Sequence, residues 1–131
     1  MAFLLDTNVL LWSVVEPDRL SSAALKILGT DSERLYFSAA SSLEIAIKYS
    51  IGKLSLPSPP TDFIPKLMGE MNLIPLDVSN SHALAVGKLP LHHWDPFDRV
   101  LVAQAQAEGL IVLTIDKSFA KYEVEAILCR A

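Results

Sequence analysis

Short continuous apolar runs alternate along this chain with segments of helical period. Phe3, Leu4 and Leu5 form the first run, the pattern of a strand buried on both faces. Asp6, Thr7 and Asn8 then supply turn and cap chemistry, and a helix is predicted over residues 9–15, ended by Pro17. Ser21 or Ser22 caps a short helix that reaches about Leu28 and stops at Gly29. A strand is predicted over 35–37. From Ser38 to Ile51 the period is helical, with Leu43, Ala46, Ile47 and Ser50 on one face and Gly52 as the stop.

Residues 56–60 read as a proline-rich loop, too short to separate domains, and 61–71 as a helix. A strand over 73–76, a short helix over 79–87 and a loop over 89–94 follow. Asp95 and Pro96 open the strongest helix, which runs to about Glu108 and is closed by Gly109. An apolar, β-branched strand covers 110–115, a turn 117–122, and a last strand 126–129. Strands alternating with helices imply βαβ units, hence a central, mostly parallel sheet with helices on both faces, in one domain over 1–131.

In an open parallel sheet, ligands bind just beyond the carboxyl ends of the strands. Asp6 and Asp116 each follow a predicted strand. Glu44 lies a turn or two into the helix after the second strand, and Asp98 in the first turn of the helix leading into the strand at 110–115. Connectivity alone brings all four to one end of the sheet. An unpaired carboxylate costs several kcal/mol to desolvate, so four acids around one crevice make sense mainly where cations hold them together. All-oxygen ligation selects Mg²⁺ or Mn²⁺ over zinc, and such ions serve phosphodiester chemistry. Without them, mutual repulsion should raise some of the acids' pKa values.

Each acid also has a simpler reading. Asp6 could be a helix cap, Glu44 could complete a capping box begun by Ser41, and Asp116 could open a turn. Asp95 as cap with Pro96 behind it is a complete structural explanation, and Asp98 suits the helix dipole. Lys48 stands four residues after Glu44, a helix ion-pair spacing. Thr7, Asn8 and Thr114 could support the acids, and Arg99, Lys48 and Lys117 could contact phosphate or make surface ion pairs. His82, His92 and His93 have no metal-ligand spacing with a cysteine; His92 and His93 read as packing beside Asp95. Trp12, Trp94 and Phe97 read as core or interface aromatics.

Composition narrows the options further. A net charge of −4 lacks the basic footprint of a protein that grips nucleic acid by charge alone, so phosphate would be met locally. Half the residues are hydrophobic (51%), which also suggests apolar surface reserved for a partner. Cys129 is the one cysteine, which excludes an internal disulfide, suits a cytoplasmic protein and reads as a buried hydrophobe. No signal peptide or membrane span is expected. No phosphate-binding glycine loop and no serine-hydrolase elbow is present.

The stretches Leu4-Leu5-Asp6-Thr7-Asn8, Ser38 through Glu44 to Lys48 with Gly52-Lys53-Leu54, Asp95-Pro96-Phe97-Asp98-Arg99 and Thr114-Ile115-Asp116 resemble the PIN-domain ribonucleases of the VapC toxin type. The resemblance covers nearly the whole chain. It implies a three-layer α/β/α fold and Mg²⁺- or Mn²⁺-dependent endoribonuclease activity on RNA. It also implies a homodimer and a small antitoxin that inhibits it. The family's four acids fall on Asp6, Glu44, Asp98 and Asp116, which selects Asp98 over Asp95. Asn8 departs from the histidine common in this branch. A receiver-like phosphoacceptor would need a second acid beside Asp6, and a dehalogenase-type phosphatase an acid at Asn8. A non-catalytic module that kept the fold is the remaining alternative.

Overall fold

The computed structural model describes residues 1–92 and 95–131. One sheet runs through it, built from β1 (Ala2–Leu5), β2 (Arg34–Ser38), β3 (Ile74–Leu76), β4 (Ile111–Thr114) and β5 (Ala126–Leu128). The strand order is β3-β2-β1-β4-β5, and every pairing within it is parallel. β1 is central. Leu4 faces Tyr36 of β2 on one side and Val112 of β4 on the other. Both faces of the strand are covered, as its unbroken apolar run requires: Leu4 and Leu5 are fully buried.

The two faces divide the core. Phe3 and Leu5 pack with Val9 and Leu10 of α1 (Thr7–Val15), Ala24 of α2 (Ser22–Leu28) and Phe63, Ile64 and Leu67 of α4 (Pro60–Glu70). Leu4, pointing the other way, joins Val112 and Leu101, Val102 and Ala105 of α6 (Pro96–Glu108). This is the three-layer α/β/α arrangement expected from the sequence. α5 (Asn80–Ala85) lies against α6, and α3 (Ala39–Ser50) touches α1, α4 and α6.

Several predicted boundaries moved for local reasons. The α3 cap is Ser38, whose hydroxyl accepts from the Ala40 N–H at 3.0 Å, so Ser41 and Glu44 do not form a capping box. Ser79 and His82 form one instead, at the start of α5. That helix stops at Ala85 and tightens into a 3₁₀ turn over Val86–Lys88, where the Val86 carbonyl accepts from the Arg99 guanidinium. Of Ser21 and Ser22, Ser21 is the cap of α2. The face of α3 that carries Leu43, Ala46, Ile47 and Ser50 is the outward one, with Leu43 54% and Ile47 42% exposed. The helix buries Ala40, Ser41, Glu44 and Ile45. Its polar residues point in because the pocket described below lies there.

Gly109 ends α6 at φ 66°, in the left-handed region. Gly69 sits within α4 with open space around the position of a Cβ. Gly109→Ala should therefore lower the unfolding free energy by about 1–2 kcal/mol. Gly69→Ala should raise it by about 0.5–1 kcal/mol. Urea unfolding of the two variants checks both signs.

Candidate functional site

Pairing between β1 and β4 carries one residue past the end of β1: the Asp6 N–H donates to the Leu113 carbonyl at 2.8 Å. That register sets Asp6 beside Thr114. The Thr114 hydroxyl donates to Asp6 Oδ2 at 2.9 Å and accepts from the Asp116 N–H at 3.0 Å. One hydroxyl thus ties the two strand-end acids together. Asp116 Oδ1 in turn accepts from the Ser118 N–H at 2.8 Å and opens a 3₁₀ turn over Lys117–Lys121. Asp6 stands at the cap position of α1 but makes no side-chain cap there, its carboxylate being engaged by Thr114.

Glu44 enters from α3 and is buried. Both its oxygens have protein partners: Oε1 accepts from the Thr7 hydroxyl at 2.8 Å and Oε2 from Lys48 Nζ at 2.6 Å. Thr7 has one hydroxyl proton and Glu44 can only accept, so the Ser41 hydroxyl, 2.8 Å from that of Thr7, must supply its own proton to Thr7. Ser41, Thr7 and Glu44 are a directional chain ending on the carboxylate.

Asp98 sits in the first turn of α6, behind Asp95, whose carboxylate accepts from the Phe97 N–H at 2.9 Å and caps the helix as expected. Among the described residues the Asp98 carboxylate accepts no hydrogen bond. Burial, then the charges of Asp6, Asp95, Glu44 and Asp116, push its pKa up to about 8. Asp6 is raised to about 6, chiefly by burial; the Thr114 hydrogen bond offsets part of this and the Glu44 charge adds to it. Asp6, Glu44, Asp98 and Asp116 therefore share one pocket, with Asp95 at its rim.

No three or more His, Cys, Asp or Glu side chains among the described residues are already drawn together as they would be around a metal ion. The hydrogen bonds give the reason. The carboxylates are engaged by protein donors, Asp6 by Thr114, Asp116 by Ser118 and Glu44 by Thr7 and Lys48, while Asp98 accepts no hydrogen bond among the described residues. An all-oxygen, mutually repelling set with one donor left over fits a hard divalent cation.

Of the basic candidates, Lys48 is paired with a pocket acid, Glu44. Arg99 is engaged by the backbone. Its guanidinium donates to the carbonyls of Val86 (3.0 Å), Leu89 (3.3 Å) and Pro90 (3.0 Å), bracing the segment that leads into α6. Lys117 is exposed. Thr7 and Thr114 support acids, as expected, whereas Asn8 is exposed and lines a groove with Leu11, Trp12, Arg19, Leu54 and Leu56. Ser41 was missed as a support because its spacing to Glu44 read as a cap. His82 is buried away from the pocket, 3.0 Å from Glu108, and His92 sets its ring edge-on to Tyr122. The expectations for His93 and Trp94 lie outside the described residues. Cys129 is buried, and burial pushes its thiol up to about 11.

In a parallel α/β/α sandwich, the edge where the strands end, here lined with acids, is the usual place for a ligand. The chain matches the family model of the PIN domain over residues 3–125 and belongs to that family. It is similar in structure to VapBC2 from Rickettsia felis bound to a promoter DNA fragment. The TM-score is 0.73 at 16% identity, covering 97% of this chain and 98% of that one. DNA-bound VapBC from Salmonella typhimurium gives 0.69 at 19% identity, covering 97% of each chain. FitAcB from Neisseria gonorrhoeae gives 0.60 at 21% identity, covering 97% and 96%. At these identities the likeness is one of fold. Comparison with curated proteins by sequence gives no match.

Two outcomes follow from this geometry. Asp98 holds its proton more tightly folded than unfolded, so its contribution to stability is full below 3.8 and is lost as pH rises through about 8. Asp98→Asn should leave the melting temperature of the metal-free protein unchanged near pH 4 and raise it at pH 8. Arg99→Met strands three carbonyls and should cost about 2 kcal/mol in urea unfolding, given the strength of hydrogen bonds from a charged donor.

Proposed function

We propose that this protein is a divalent-metal-dependent endoribonuclease and the toxin of a toxin–antitoxin pair, of the VapC type. The observation that carries the reading is the convergence of Asp6, Glu44, Asp98 and Asp116 on one pocket, where burial first and then the charges of the other acids raise the Asp98 pKa. Asp6, Asp98 and Asp116 would hold Mg²⁺ or Mn²⁺. When bound, such an ion polarises a water and offsets charge on the phosphodiester. Glu44, fixed from behind by Thr7, orients the attacking water; Thr114 keeps the Asp6 carboxylate turned to the pocket. Water adds to phosphorus as the bond to one ribose oxygen breaks.

RNA as substrate, an inhibiting antitoxin and a homodimer belong to the same reading. Their support is the family membership and the likeness to chains solved as VapBC and FitAB complexes. No helix among the described residues is long and apolar enough to cross a membrane, which fits an enzyme acting on RNA in the cytoplasm.

Partner-free protein incubated with mixed cellular RNA should cleave it with Mg²⁺ or Mn²⁺ and stop when chelator is added. Asp6→Asn should fold normally and lose about 100-fold or more in rate, since removal of a transition-state electrostatic contact costs that much. Cleavage undiminished by chelator or by Asp6→Asn would overturn the proposal.

A further inference from the structure

Lys48 is unlike an ordinary helix ion pair. In such a pair both ends are solvated, as with Arg19 and Glu16, which are 51% and 50% exposed here, and the pair contributes little. Lys48 approaches Glu44 at 2.6 Å with its own side chain 47% exposed while the Glu44 side chain is 7% exposed. A half-exposed cation thus caps a buried carboxylate. Glu44 has no need of it as an anchor, because Thr7, backed by Ser41, already fixes the other oxygen. The hydrogen bond to Glu44 raises the Lys48 pKa, and the charges of Glu44, Asp95 and Asp98 add to it, so the ammonium answers to several acids at once. Arg99 donates to backbone carbonyls, whereas Lys48 is placed directly against a pocket acid.

We propose that Lys48 is the pocket's resident counter-cation: its ammonium offsets the carboxylates until a divalent ion takes them over, then swings on its four-carbon stem to the phosphate of bound RNA. The proposal rests on the nuclease reading for its second half only. A divalent ion and an ammonium crowd one another, so the apoprotein gives up Lys48's contact with Glu44 when the ion enters. The released charge lies at the solvent-facing edge, where a phosphodiester would arrive. Lysine suits this role better than arginine, being a compact point charge on a flexible stem.

The test is titration of Mn²⁺ into metal-free protein without RNA, for the parent, Lys48→Met, Lys48→Gln and Lys48→Arg, with circular dichroism to verify folding. Removing the charge should tighten Mn²⁺ binding by about tenfold, the effect of a unit charge next to a divalent ion at a solvent-facing edge. Lys48→Arg should stay close to the parent. With Mn²⁺ saturating, Lys48→Met should raise KM for RNA several-fold and change kcat by less than that factor. Unchanged or weaker Mn²⁺ binding in both neutral variants overturns the counter-cation role, and an unchanged KM overturns the phosphate contact. A parent protein that binds Mn²⁺ but cuts no RNA discards the nuclease reading alone, since the ion titration is read without it.

Discussion

Like charges held close together under partial burial are the constraint around which this molecule is arranged. Asp6, Glu44, Asp98 and Asp116 come from two strand ends and two helices, and each is kept in place by something else the fold does. The parallel register of β1 and β4 delivers Asp6 to Thr114, and that hydroxyl also receives the Asp116 amide. The cap at Asp95 starts α6 where its first turn carries Asp98 inward. The unfavourable energy of the cluster is borne by two hydrophobic cores, one on each side of the sheet. Such a site is a local violation of what would stabilise the chain, compensated elsewhere.

Most of this was legible in the sequence because strand and helix patterns differ in period and because turn residues sit where the elements end. The run at Phe3 to Leu5 announced a strand covered on both faces, and Asp95-Pro96 announced a helix start. The four acids could be grouped by connectivity alone, since loops at one end of a parallel sheet are spatial neighbours. The supports were harder to see. Arg99 read as a phosphate contact or a surface ion pair, because nothing in a linear chain shows that three carbonyls nine to thirteen residues upstream bend back to meet it. Ser41 looked like a cap because its spacing to Glu44 is that of a capping box, and spacing does not reveal where a helix begins.

α3 makes the same point about faces. Its apolar positions recur at helical spacing, and a periodic stripe is ordinarily the buried one. Here the inner face carries Ser41 and Glu44, and the stripe of Leu43, Ile47 and Ile51 lies in solvent, each 42–58% exposed. The sequence pattern reports that a helix has two chemically distinct sides. Which side turns inward is decided by what the rest of the chain puts beneath it, and beneath α3 that is the acid pocket.

The central place of β1 has a consequence for the order in which the molecule comes into being. β1 needs β2 on one flank and β4 on the other, and the bond between Thr114 and Asp6 spans 108 positions. Distant pairings of this sort form late. The cluster of acids therefore exists only once β4 has docked beside β1, so a chain stalled before that pairing has its helices and strands in part but no gathered carboxylates.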